Sequence, residues 1–327
     1  MQLVKPTPAE AEAGLRAMAM VARAPGEIAP PARALIAAAQ KVLLGTAYEV
    51  DRLDGIAPAD VARALARPQI RRQLVEGMIV VSMSAGEPPA AQSELVERFA
   101  EALGVETPAL RALRRLTSRE MLLYKLCIMR NGHMPDMVRD QYARQGLVGV
   151  AKALLGVKGL AEEPELAARY HALERLPEDR LGKHLWRHYH DNGFKFPGEK
   201  GGFPEAGVYH DVSHVLAGYD TTPEGETLVG GFIAGYRQRR ADHGFFTALF
   251  VISIFSTGID VTPIGVGARE GVVGNVAEQF LDAIERGAEV PVDLSDGWDC
   301  WPYLELPLEE ARARLGVRSK QGGHAWD

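Results

Sequence analysis

A 60-residue echo constrains the first third of this 327-residue chain more than any other feature. Shifted by 60 residues, Met18 falls on Met78, Val21 on Val81, Gly26 on Gly86, Glu27 on Glu87, Leu35 on Leu95 and Leu43 on Leu103. Each copy reads as an apolar helix, a Gly-Glu turn and a second helix. The spacing predicts a duplicated helical hairpin, with chance similarity as the alternative. Asp54, Gly55 and Ile56 look like a third, partial turn of the same kind. Residues 1–125 are rich in Ala, Leu, Arg and Glu, all good helix formers. The helical pattern continues over 117–155, where Leu122, Leu123, Leu126 and Met129 share one stripe.

Composition removes several classes. Hydrophobic residues make up 46% and charged residues 24%, the balance of a folded globular chain. The net charge of -6, with both signs well mixed, offers no basic surface for nucleic acid. The two cysteines, Cys127 and Cys300, form no CxxC pair and no disulfide framework, so a reducing, cytoplasmic compartment is expected. The N-terminus is not a secretory signal. No apolar run reaches the ~20 residues that span a bilayer.

Gly156 to Pro164 looks like a boundary. Beyond it seven of the nine histidines fall between His171 and His243, so chemistry is expected in the second half. Phe194 to Val208, with four glycines and two prolines, must be a loop. A helix is expected from about Val208–His210 to Ala217, ended by Gly218. Another should start near Glu224 and carry Leu228, Phe232, Ile233 and Tyr236 on one stripe. Phe245–Phe255 reads as a buried core helix, or as one wall of an acyl or isoprenoid tunnel beside the site. Arg237, Arg239 and Arg240 form a charge run that is either solvated or holds a lipid head group. A Trp/Asp cluster, Asp293 to Trp301, precedes an amphipathic helix, Pro307–Leu315.

His210 and His214 are four residues apart. On a helix they sit one turn above the other, with Cβ atoms ~5–6 Å apart, so two imidazoles can converge on one metal ion. Asp211 lies near the same face, as a further ligand or as a base on bound water. Eleven residues separate His214 from Glu226, enough for a turn to bring the next helix back beside the histidines. His184 and His188 repeat the spacing, with His190 nearby. Without an obvious acid other than Asp191, they read as structural or as supporting donors.

The pattern HDVSH from His210 to His214, eleven residues, then Glu226 resembles the hallmark of the Coq-four family of coenzyme Q biosynthesis proteins. LGKHLWRHYHDN, from Leu181 to Asn192, is similar to that family's L-G stretch before a D-N. The resemblance covers roughly residues 150–315. It departs at Ala206, Gly207, Val208 and Tyr209, where eukaryotic members carry R-x-R-E. The resemblance implies that His210, Asp211, His214 and Glu226 bind a divalent metal, with Asp211 also a candidate catalytic residue. It implies ubiquinone biosynthesis, as a lyase-type exchange of the C1 carboxyl of a prenylated hydroxybenzoate for hydroxyl. Zinc is the metal usually assigned. Zn²⁺ has no redox chemistry, and two histidines with a carboxylate also describe an iron facial triad, so zinc or iron is expected. The partners implied are a prenylated aromatic lipid, other quinone-pathway enzymes, peripheral contact with the inner membrane and a homo-oligomer. A lipid-binding scaffold and a metal-dependent hydrolase are the alternatives.

The first half, over roughly residues 14–115, resembles the TerB-like helical domain, whose turn reads D-G-E. Pro25 and Ala85 stand where that Asp would be, so no catalytic or metal-binding residue is expected there. The expected architecture is all-α in two helical domains, 1–145 and 146–327, the second a bundle carrying the metal site.

Overall fold

The computed structural model describes residues 3–320, except 133, 158–159, 241, 263–266 and 296. Lys158 and Gly159 of the expected boundary, and Asp296 of the Trp/Asp cluster, lie outside the described residues. Among the described residues every regular element is a helix, as the periodicity predicts.

Proline sets most of the helix starts in the first half. The helices α1 (Pro8–Arg23), α2 (Pro30–Ala39), α3 (Pro58–Ala64) and α4 (Pro68–Met83) all open on proline. There its missing N–H costs nothing and its fixed φ suits the first turn. Then follow α5 (Ala90–Leu103) and α6 (Pro108–Thr117). Helices α1 and α4 begin and end 60 residues apart and pack on each other. The turns after them hold Gly26 and Gly86 at φ 134° and 113°, where a side chain is strained. The duplicated hairpin is therefore present. Its supposed third copy is not: residues 53–57 run without a turn into α3, held by Arg16 donating to the carbonyl oxygens of Asp54 and Gly55.

Helices α7 (Met121–Asn131) and α8 (Met134–Val157) follow, α8 broken at Gly146. On α7 the sequence pattern misleads. Tyr124, Cys127 and Ile128 are buried, while Leu122, Leu123 and Leu126 are exposed. The buried face is chosen by tertiary contact, with the Tyr124 hydroxyl hydrogen-bonded to Ser253 far along the chain.

The second half adds α9 (Pro164–Ala172), α10 (Leu181–Asp191), α11 (Tyr209–Ala217), α12 (Pro223–Tyr236) and α13 (His243–Phe255). It closes with α14 (Val272–Asn275), α15 (Ala277–Glu289), α16 (Trp301–Leu304) and α17 (Leu308–Leu315). Helix α12 is the centre, packed against α11, α13 and α15. Its glycines permit this: a Cβ on Gly235 would stand 2.3 Å from the Ile284 carbonyl oxygen. Helix α13 is buried along almost its whole length, the core reading of that apolar run.

One apolar core joins both halves, with Val75, Ile79 and Leu113 in the same cluster as Phe246, Ile252 and Phe280. Ion pairs Lys41–Glu278 and Arg72–Asp242 cross the same seam. Packing thus runs between residues on either side of the expected division at 145/146. The arginine run is internal as much as solvated. Arg237 is fully buried and faces Asp136 of α8 at 3.5 Å, with His243 3.3 Å from the same carboxylate.

Candidate metal centre

The site is built by the turn between α11 and α12. Gly218 ends α11 in the left-handed region, at φ 74°. Asp220 then accepts hydrogen bonds from the Thr222 N–H and hydroxyl, folding the chain back. Thr222 caps α12 by accepting from the Gly225 N–H, and Pro223 fills the first helical position. Position 225 has no room for a side chain, since an added Cβ would lie 2.1 Å from Asp220 atoms. The turn carries Glu226, in the first turn of α12, back over the face of α11 that holds the histidines.

Three side chains converge. The Nε2 of His210 lies 3.4 Å from one Glu226 oxygen, and the Nε2 of His214 lies 3.3 Å from the other. Among the described residues, His210, His214 and Glu226 are the set whose donor atoms all fall within 4.8 Å of one another. Two donors ~2.0–2.2 Å from a common metal at a tetrahedral angle stand roughly 3.4 Å apart. The nitrogen–oxygen separations here match that span.

The other ring nitrogens are held from behind. His214 Nδ1 is 3.1 Å from the Tyr219 carbonyl oxygen, to which it donates, and its Nε2 faces Glu226. His210 Nδ1 is 3.5 Å from Asp211. A carboxylate or carbonyl behind each imidazole is the usual supporting arrangement of a metal-bound histidine. His214 is 1% exposed and His210 is 37% exposed, so the cluster opens to one side.

Asp211 does not join the converging set. One of its oxygens faces His210 and, at 3.6 Å, His188 Nε2; the other accepts from the Tyr189 hydroxyl. Its place is behind His210, beside His188 and Tyr189. His188 and Tyr189, both on α10, are the residues that sequence reasoning undervalued. His188 is buried and stacks on His214, with ring centroids 5.0 Å apart. Its acidic neighbour comes from α11, not from the local sequence, so no nearby acid could reveal it. His190 turns away and pairs with exposed Asp191.

Charge in the cluster is balanced tightly. Burial pushes both carboxylates up, but His188 and His210 more than reverse this for Asp211, and His210 and His214 do so for Glu226. Both stay well below the ordinary carboxylate range. Burial would lower the His210 imidazole, but Asp211 and Glu226 outweigh it and hold its pKa up to about 10. The carboxylates and imidazoles of the cluster thus stabilise each other's charged forms.

The tunnel expected along α13 beside the site is not found among the described residues. Helix α13 does line an apolar cavity, of about 170 Å³, through Phe245, Ala248 and Ile252. That cavity faces the first half, against Leu15, Met18 and Leu74, and none of His210, Asp211, His214 or Glu226 lines it. Helix α12 packs on α11 as well as on α13 and α15. Apolar surface near the histidines comes instead from Phe194, 43% exposed, whose ring edge meets His188.

No protein-family profile matches the chain, and no curated protein does. One solved structure that it is similar to is a provisionally described ubiquinone biosynthesis protein from Nostoc punctiforme. The match is 17% identical, with a TM-score of 0.32, and covers 77% of this chain and 99% of that one. A TM-score that low does not establish a common fold.

Proposed function

We propose that His210, His214 and Glu226 hold one divalent metal ion, and that the chain serves ubiquinone biosynthesis by acting on a prenylated hydroxybenzoate. The observation that carries the metal reading is the pair of Nε2 atoms, 3.4 and 3.3 Å from the two oxygens of one carboxylate, with each imidazole supported from behind. The substrate reading rests on the filled H-D-x-x-H, eleven, E pattern and on the aromatic surface of Phe194 beside the cluster.

Three protein ligands leave a position open, which favours chemistry over a closed structural site. Zinc or iron suits two imidazoles and a carboxylate, and such an ion supplies a fixed positive charge that stabilises a phenolate as the ring loses its carboxyl. The chain's own residues orient and move protons. The Tyr219 carbonyl fixes the His214 tautomer. Asp211 fixes His210 and, through Tyr189 and His188, belongs to a buried hydrogen-bonding group that can carry a proton to or from the open side of the site. In this reading the catalytic part of Asp211 is proton handling rather than ligation.

A metal-dependent hydrolase uses the same ligands with a bound water in the open position. The half-exposed His210 side of the cluster is compatible with it. Two measurements separate the readings. Elemental analysis of protein purified without a metal-affinity column should find zinc or iron. The quinone profile of cells lacking the gene should show a carboxylated prenyl-phenol accumulating. Loss of all late intermediates together would favour a scaffold, and an unchanged profile would remove the quinone reading altogether.

A further inference from the structure

Two buried arginines lie close to the metal centre and take no part in the ligand set. Arg286, on α15, is 0% exposed, and Arg312, on α17, is 4% exposed. A guanidinium kept out of water is costly unless its donors are satisfied. Both side chains reach the same place, the C-terminal end of α11, the helix that carries His210 and His214.

A helix leaves its last four carbonyl oxygens without partners inside the helix. At the end of α11 each has one. The His214 carbonyl accepts from the N–H groups of Gly218 and Tyr219. Arg312, which also pairs with Glu309, donates to the carbonyls of Val215 at 3.2 Å and Leu216 at 2.9 Å. Arg286 donates to the Ala217 carbonyl at 3.2 Å. Two cations thus close this helix end and complement its negative dipole.

Arg286 reaches further. It donates to the Tyr219 hydroxyl at 2.6 Å, and its guanidinium lies 5.3 Å from the centroid of the Tyr219 ring. Tyr219 is the residue whose carbonyl oxygen accepts from His214 Nδ1. It is therefore held at its hydroxyl by Arg286 and at its backbone by the imidazole that faces Glu226. The same guanidinium donates to the Arg318 carbonyl at 2.7 Å, tying down the chain after α17. It also lies 5.9 Å from the ring centroid of Phe232, on the helix that carries Glu226. One side chain contacts both helices that supply the ligands.

We propose that Arg286 is a positioning residue of the metal centre, with Arg312 as its companion. Together they fix the last turn of α11, and Arg286 sets the His214 ring through Tyr219. Donors of a binding site must be held to within about 0.5 Å, which requires support behind each of them. The proposal rests on the metal reading of His210, His214 and Glu226.

Zinc affinity of the full chain, measured by competition with a chromophoric chelator, tests this beside chemical denaturation. Arg286→Met keeps the length of the side chain and removes its donors. It should lower the affinity about tenfold or more, as loss of support behind a metal-bound histidine does. Arg286→Lys, which keeps the charge without the fork, should recover only part of the loss. Tyr219→Phe removes the one oxygen through which Arg286 acts. It should lower affinity by a smaller factor, and should change nothing more in the Arg286→Met background. Glu10→Gln is the control for lost stability alone, and its affinity should equal that of the wild type. Wild-type affinity in a folded Arg286→Met chain overturns the proposal. So do Arg286 and Tyr219 effects that multiply independently, or an affinity that falls in Glu10→Gln as its stability does. If Arg286→Met fails to fold, Tyr219→Phe decides, and an unchanged affinity there overturns the proposal. A wild-type chain that binds no zinc overturns the metal reading and this proposal together, whereas variants that bind as the wild type does overturn this one alone.

Discussion

Two helix starts in this molecule use the same parts to different ends. Helix α1 opens Thr7-Pro8 and carries Glu10; helix α12 opens Thr222-Pro223 and carries Glu226. At the first, the acid folds back on its own cap. Glu10 accepts from the Thr7 N–H, the Thr7 hydroxyl accepts from the Glu10 N–H, and Arg67 closes on the carboxylate. Every strong valence of Glu10 is taken by the protein. At the second, the acid sits one residue further on, and among the described residues its oxygens meet imidazole nitrogens, at 3.3–3.4 Å. A carboxylate completed by short hydrogen bonds stabilises a fold. One held at the spacing of two donors around an ion is arranged for something between them.

The comparison can be broken first at His214. His214→Ala removes a proposed ligand whose second nitrogen is fixed by the Tyr219 carbonyl, and should abolish metal content and function together. A variant that keeps its full metal complement would place the ion elsewhere. Glu226→Gln keeps size and hydrogen bonding but removes the charge. It should lower metal affinity strongly while leaving the fold intact by circular dichroism.

Asp211→Asn should do less to the metal. Loss of a supporting carboxylate typically costs about 10–100-fold in affinity or activity. With saturating metal, turnover should stay low if Asp211 handles the proton. Full turnover at saturating metal would reduce Asp211 to a positioning residue. Tyr189→Phe, which removes the hydroxyl donated to Asp211, should move activity in the same direction but by a smaller factor.

At the other helix start the expected effect is on stability alone. Glu10→Gln should cost about 1–2 kcal/mol of folding stability at neutral pH, by loss of charge-assisted hydrogen bonds, with metal content unchanged. The pH dependence follows from the sign of its shift. Arg67 chiefly, with Thr7, pulls Glu10 from 4.5 to about 2 in the folded chain. Its contribution is therefore full above pH 4.5 and is lost as the pH falls toward 2. The difference between wild type and Glu10→Gln in chemical denaturation should shrink over that window. A difference that stays constant would mean the ion pair is not what Glu10 supplies.

Local pattern carried a large part of this structure. The 60-residue echo and its Gly-Glu turns placed the paired helices α1 and α4 and the turns after them, because each copy carries its own local turn signal. His210, His214 and Glu226 were legible because one helix turn and one tight connection bring them together. Three things were not. The α7 stripe faces outward because a distant partner, Ser253, selects the other face. His188 and Tyr189 reach the site because α10 packs on α11, which no spacing within α10 reveals. The apolar cavity lies between α13, α15 and the helices of the first half, away from His210, His214 and Glu226, because α13 turns Phe245, Ala248 and Ile252 toward α1 and α4. An apolar run shows that a helix is buried, not what lies on each side of it.

The most direct test is the coordination of the ion itself. X-ray absorption at the metal edge, on protein purified without a metal-affinity column, should show one zinc or iron per chain, bound by two imidazoles and oxygen donors and no sulfur. The same measurement on His214→Ala should find no specifically bound ion. A wild-type chain free of metal when prepared under metal-replete conditions, or one whose ion carries sulfur ligands or survives the loss of His214, would contradict the account.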